Sequence, residues 1–174
     1  MNVFRSGAVI FGLCALAACA STPHLDVRPV PLAAQPKFDP IAFFSGRTIG
    51  RGRLQKILSR SLDTLVEGRG TADHRTLHLE QEVHEGDKPV KRRTWVIAEM
   101  SPGNYTGTLT DAEGAVTGET QGNQLHLSFT MKGGLRTEQW LTLSTDGQRA
   151  TNVMKVRKLG VTVAVLSEEI RRLD

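Results

Sequence analysis

The sequence predicts an all-β protein: a single antiparallel up-and-down β-barrel of about 8 to 10 strands, behind an N-terminal signal peptide and a Pro-rich tether. Three observations carry this. Apolar and polar residues alternate along most of the chain after Phe38, as in strands with one wet and one dry face. Clusters of Gly, Pro, Asn and Asp interrupt the alternation at the ~8 to 12 residue spacing of sandwiches and barrels. The intervening loops are short, so each strand pairs with its sequence neighbour, and closure into a barrel removes the two exposed edges that a meander would leave.

The N-terminal element is an export signal. Between Val3 and Ala18 the one charge is Arg5, followed by an apolar segment, Ala8 to Ala18, of 11 residues. A spanning helix needs ~20 apolar residues, so this segment has the length of a signal-peptide core. Leu16-Ala17-Ala18-Cys19 resembles the bacterial lipobox, in which the cysteine receives a diacylglyceryl group and becomes the mature N-terminus. The plainer alternative is an ordinary small-residue cleavage site that contains a cysteine. Lipidation at Cys19 would anchor the protein to a membrane without spanning it. By resemblance to the bacterial sorting rule, Ala20 in place of Asp favours the outer membrane, facing the periplasm. The two cysteines, Cys14 and Cys19, are then removed and modified respectively, so the exported domain has no disulfide and depends on its core. The expected division is residues 1–18 as signal peptide, 19–37 as lipidated Cys and flexible tether, and 38–174 as the barrel domain.

The tether holds Pro23, Pro29, Pro31 and Pro36 with no sustained hydrophobic period, which favours an extended spacer. At ~3.1 Å per residue, Ala20 to Lys37 reaches on the order of 50 Å.

Strands follow in order. Arg47 to Leu54 and Ser61 to Gly68 are glycine-rich, and Arg53 to Leu65 between them reads as loop plus strand. Leu77, Leu79 and Val83 alternate with His78, Glu80, Glu82 and His84 before a turn at Glu85 to Pro89. Thr94 to Ile97 turns at Ser101 to Asn104, and Tyr105 to Leu109 turns around Asp111 to Gly114. Gly122-Asn123 separates Ala115 to Gln121 from the alternation Leu125, Leu127, Phe129, Met131. Leu135 to Leu143, Thr151 to Lys158 and Val161 to Val165 complete the set, with Ser167 to Asp174 either prolonging the last strand or ending in a helical turn.

Several landmarks match a known family. They are Phe43-Phe44-Ser45-Gly46, Arg93-Thr94-Trp95, Tyr105-Thr106-Gly107, Gly114-Ala115 with Gly118, Gly122-Asn123, Trp140-Leu141, and Asn152 with Met154, Lys155 and Gly160. In this order they resemble the bacterial DUF3833 lipoproteins, a family of uncharacterised function. The resemblance implies a lipocalin-like (calycin-like) barrel and a hint of envelope and fatty-acid metabolism. The chain departs from the pattern at Leu166-Ser167-Glu168-Glu169 and in the His-rich strand from His74 to His84.

Composition and motifs narrow the chemistry. The net charge of +4 includes Arg5, and the basic residues are dispersed, as on a solvated surface. Export removes nucleic acid as a partner, while an anionic membrane surface remains. His78, Glu80, Glu82 and His84 share one strand face at ~6 to 7 Å spacing and could hold zinc with help from a neighbour. The opposite apolar face predicts the same polar row without any metal, so no metal or cofactor is expected. No nucleophile-elbow pattern surrounds a serine, and Glu168 and Glu169, being adjacent on a strand, point to opposite faces and cannot act as a pair. Gly46, Gly50 and Gly52 lack the spacing of a dinucleotide loop. Catalysis is therefore not expected.

Trp95, Trp140, Phe129, Phe43 and Phe44 are candidates for the barrel interior, either as solid core or around an apolar cavity. Aromatic residues make up 5% of the chain, which favours a cavity lined by Leu, Val and Gly. Arg93 shares the face of Trp95 and reads as a buried cation facing a ligand headgroup, or as the partner of Glu80 or Glu138. The expected ligand-binding set is Arg93, Trp95, Leu127, Phe129, Trp140 and Val163. Two functions follow. One is a membrane-anchored module binding an apolar ligand such as a fatty acid or phospholipid; the other is a structural lipoprotein with a solid barrel and a protein partner.

Overall fold

The computed structural model describes residues 29–174. Cys19, the signal segment and the first half of the tether lie outside them. Ten strands follow a single helical turn: α1 (Pro40–Phe44), β1 (Gly46–Lys56), β2 (Leu62–Asp73), β3 (Thr76–Glu85), β4 (Lys91–Ser101), β5 (Asn104–Leu109), β6 (Val116–Gln121), β7 (Gln124–Met131), β8 (Leu135–Leu143), β9 (Arg149–Lys158) and β10 (Val161–Arg172). Each strand pairs antiparallel with its sequence neighbour, and β1 closes the barrel against β10 from Thr48 opposite Arg172 to Lys56 opposite Ala164. Closure leaves no unpaired edge among the described strands.

Alternation places one set of side chains inside. On β3, Leu77, Leu79 and Val83 are buried while His78 and Glu80 are exposed. The main core runs through Leu77, Trp95, Ile97, Leu125, Phe129, Leu141 and Ile170. A smaller cluster of Leu54, Val156 and Ala164 lies toward the β1–β2 and β9–β10 turns.

The two ends of the barrel differ. At one end α1 lies across the opening and buries Pro40, Ile41, Phe43 and Phe44. Asp39 caps the helix by accepting from the Ile41 and Ala42 N–H groups at 2.9 and 3.1 Å, and Pro40 starts it with a fixed φ. The Phe38–Phe43 and Phe43–Phe44 ring pairs, 5.3 and 4.9 Å between centroids, fill this end. Phe43 and Phe44 are thus buried as expected, but from a plug and not from a strand. The expectation of strands alone omits this turn, although Asp39-Pro40 is a helix-start signal.

Three further features have local causes. Arg53 to Leu65 divides into the end of β1, a turn and the start of β2, with Leu54 facing inward. Ser167 to Asp174 prolongs β10 to Arg172, because β1 and β9 both supply backbone partners there. The described part of the tether is held against the plugged end and is not free. Ala33 donates to Asn123 Oδ1 at 2.7 Å and accepts from its N–H at 2.8 Å, and Phe38 donates to the Gly122 carbonyl at 2.8 Å. Among the described residues no helix is long and apolar enough to cross a membrane.

Candidate functional site

The barrel interior holds a partly open cavity of about 90 Å³ bounded by Phe44, Leu79, Trp95, Leu127, Phe129 and Leu141, with Met131 and Met154 toward the other end. At ~10 to 15 Å³ for each enclosed water, it holds roughly six to nine waters or a short apolar chain. Trp95 and Phe129 meet edge to face at 5.5 Å and form one wall. Trp95 Nε1 donates to Gln81 Oε1 at 2.8 Å, so its polar tip is satisfied. A larger depression of about 760 Å³ is lined mostly by charged side chains of β1 to β4, among them Arg47, Arg69, Glu80 and Arg92, and is open and polar.

One wall of the inner cavity carries polar groups. Glu168 on β10 and Asn152 on β9 face each other across the register and are 7% and 2% exposed. Asn152 Nδ2 donates to Glu168 Oε2 at 2.9 Å. The remaining oxygens, Glu168 Oε1 and Asn152 Oδ1, are buried without a partner. Both are acceptors, so the wall presents two unmet demands for a donor. Burial raises the Glu168 carboxyl above its ordinary range, against the opposing effects of the Asn152 hydrogen bond and the Arg93 charge.

The space for Glu168 is made on β1. A Cβ on Gly50 would lie 2.3 Å from Glu168 Oε1, and one on Gly52 would lie 2.4 Å from the Ser167 carbonyl and 2.8 Å from Glu168 Cα. Gly50 and Gly52, which do not form a phosphate loop, are where β1 lets the carboxyl fold against it.

Arg93, on β4, also lines the cavity. Its partner is Asp111, with Nε 2.8 Å from Oδ2, and not Glu80 or Glu138. The Nε–H is aimed off that oxygen, so the pair is ionic without being a hydrogen bond, and Nε remains unpartnered. Glu138 is taken by Arg157 at 2.7 Å.

Of the six expected binding residues, Arg93, Trp95, Leu127 and Phe129 border this cavity. Trp140 does not. Leu141 occupies the inward phase of β8, so Trp140 lies outside, stacked on His126 at 5.0 Å with Lys155 Nζ 5.9 Å from its ring. Val163 also lies apart, beside Leu54, Val156 and Ala164, where a register shift between Thr162 and Ala164 disturbs the alternation of β10. Glu168 and Asn152 were not among the expected site residues. Leu166-x-Glu168-x-Ile170 and Ala150-x-Asn152-x-Met154 each place one polar residue in an otherwise apolar phase, and that was the available signal.

The His/Glu row of β3 divides. His78 and Glu80 are exposed, while Glu82 and His84 approach Glu67 of β2, the three ligand atoms lying within 4.8 Å of one another. His84 Nε2 is 3.7 Å from Glu67 Oε2, and Arg92 occupies Glu82 Oε1 at 3.0 Å. This is an ion-pair group on the outer surface, already supplied with a cation.

Comparison with known proteins adds the following. The model of DUF3833, a family described as proteins of unknown function, matches residues 13–172. No curated protein matches. Among solved structures, the chain is similar to the S-type phycobiliprotein lyase CPES from Guillardia theta, with 8% identity, 77% of this chain and 90% of that one covered, and a TM-score of 0.58. It is also similar to Rv2717c from M. tuberculosis, with 14% identity, coverage of 79% and 99%, and a TM-score of 0.59. At these identities the likeness shows a shared lipocalin-like barrel.

Proposed function

We propose that this chain, which belongs to the DUF3833 family of proteins of unknown function, is a binding module whose barrel receives an amphipathic ligand such as a fatty acid or phospholipid. The observation that carries the reading is the pair of buried, partnerless acceptors, Glu168 Oε1 and Asn152 Oδ1, on the wall of an otherwise apolar cavity. A barrel built only for stability gains nothing from them, because each unpaired buried polar group costs about 1 to 3 kcal/mol. A ligand bearing a hydroxyl, an amide or a protonated acid would satisfy them, and its apolar part would lie against Trp95, Leu127 and Phe129. An anionic head would meet Arg93. An acyl chain longer than the cavity needs Met131 and Met154 to move, which their unbranched side chains permit.

The role assigned is binding, without a covalent step. The name lyase belongs to the Guillardia protein, and at 8% identity it transfers no activity. The Cys19 anchor and the outer-membrane, periplasm-facing location complete the proposal from the lipobox resemblance. The small cavity volume favours a second reading, a structural envelope lipoprotein with a nearly solid barrel and a protein partner. Native mass spectrometry with lipid extraction on the protein from a bacterial periplasm tests the first reading. A reproducible amphipathic adduct that is lost in Glu168→Leu supports it, and a bare mass in every preparation shifts the assignment to the second. For the anchor, Cys19→Ala is expected to make membrane association reversible, so that a high-salt wash releases the variant from the membrane fraction while the unsubstituted protein stays.

A further inference from the structure

The end of the barrel opposite α1 has a composition of its own. Of the five turns at this end, three that are neighbours around the ring meet on one side, β1–β2, β3–β4 and β9–β10, while the β5–β6 and β7–β8 turns carry Asp111, Glu113 and Lys132 on the other. The Ile57 N–H donates to the Val163 carbonyl at 3.0 Å and the Gly86 N–H to the Asp63 carbonyl at 3.0 Å, which ties the three together. Ile57, Leu58, Val90, Leu159 and Val161 lie on these turns and are exposed. They make up five of the nine large apolar side chains exposed among the described residues, so the clustering is on one rim and not scattered.

Leu58 and Leu159 occupy the turn tips and are 99% and 96% exposed. Both have positive φ, 56° and 50°. A left-handed turn position suits Gly or Asn, whereas a leucine there is strained and, so exposed, buries nothing in return. Folding alone gives no reason for leucine at either tip. The segments 56–61, 85–91 and 158–161 also contain five Lys or Arg residues (Lys56, Arg60, Lys88, Lys91 and Lys158) against two carboxylates, Glu85 and Asp87. Glu85 is buried beneath Lys88 at 3.0 Å and Lys56 at 3.4 Å. By contrast, the tight turns of the plugged end balance Asp73 and Asp146 with Arg75 and Arg149. The described N-terminal segment runs along that plugged end and leaves the rim uncovered.

We infer that this rim docks on an anionic lipid surface, with Leu58 and Leu159 entering the acyl boundary and the surrounding lysines lying among the headgroups. Apolar tips encircled by basic side chains match such a surface in both layers, apolar below and negatively charged above. Docking sets the barrel upright with its mouth on the membrane, which is the direction in which an amphipathic ligand could pass without crossing water. The inference stands on the rim and holds whatever the cavity binds.

The test uses the full chain with Cys14→Ser and Cys19→Ala, and with a single new cysteine from Leu159→Cys or, as a control at the exposed Met100 of the plugged end, from Met100→Cys. Each is labelled with a polarity-sensitive fluorophore and mixed with phosphatidylcholine vesicles with or without phosphatidylglycerol. The expected result is a blue shift at position 159 and none at 100, stronger with phosphatidylglycerol and weakened by salt. Leu58→Asn in the chain labelled at 159 is expected to raise the vesicle concentration at half-signal by ~10-fold, from the apolar area withdrawn. Asn accepts positive φ, so this variant keeps or gains thermal stability, and a loss of fold does not explain the change. An unshifted probe at 159 with phosphatidylglycerol vesicles, whether or not the chain sediments with them, overturns the inference, as do equal shifts at 159 and 100. A shift that appears without vesicles and grows with protein concentration also overturns it and assigns the rim to a second copy of the chain.

Discussion

Replacing Glu168 and Asn152 together by leucine tests whether the polar wall serves binding or folding. In the unliganded protein these residues form one mutual hydrogen bond of 2.9 Å and leave two buried oxygens unpartnered. The bond contributes about 0.5 to 1.5 kcal/mol, whereas each of the two orphan acceptors costs about 1 to 3 kcal/mol, so removing all of them favours folding by roughly 0.5 to 5.5 kcal/mol. Leucine keeps the branching of Asn152 and is shorter than Glu168, and the cavity that both residues line takes up its extra volume. The expected Glu168→Leu/Asn152→Leu protein is therefore more stable, with Tm higher by about 1 to 20 °C at 2 to 4 °C per kcal/mol for a domain of this size. Circular dichroism melts and guanidinium titrations on delipidated protein measure this, and extraction of the same variant measures retained lipid. A gain in stability joined to a loss of ligand is the exchange expected of a binding site. If the double variant is destabilised by more than about 1 kcal/mol, the polar pair holds the barrel together, and the reasoning from unpaired acceptors is wrong.

Other outcomes follow from the same geometry. Because burial raises the Glu168 carboxyl above its ordinary value near 4.5, the folded state holds this proton to higher pH than the unfolded chain. That contribution to stability is therefore full below about 4.5 and is lost as pH rises through the folded-state value; Glu168→Gln is expected to flatten that segment of a Tm-against-pH curve. Gly52→Ala drives a methyl onto the Ser167 carbonyl and the Glu168 backbone, which cannot swing away, and is expected to cost about 1 to 3 kcal/mol by chemical denaturation. Trp95→Ala is expected to remove about 3 to 5 kcal/mol and to change the bound lipid, whereas Trp140→Ala, on the outer face, leaves the extracted lipid unchanged.

What could be read from the chain alone was local. Alternation in Leu77, Leu79 and Val83 and in Leu125, Leu127 and Phe129 settled strand identity and inward phase, because side-chain direction on a strand repeats every two residues whatever the surroundings. Turn residues and short loops settled neighbour pairing and, through the edges a meander leaves, closure. Where two apolar residues stand side by side the period is silent: Trp140-Leu141 offered two phases, and the register with β7 and β9 put the leucine inside. The bulge near Val163 and the plug formed by Phe43 and Phe44 had equally little periodic signature. The polar wall required the most from tertiary structure. Glu168 comes against Asn152 across β9–β10 and against Gly50 and Gly52 across the β1–β10 seam, where residues more than a hundred positions apart become neighbours only after closure. The rim is of the same kind: Leu58, Val90 and Leu159 are unrelated turn residues until the closed barrel sets their three turns side by side.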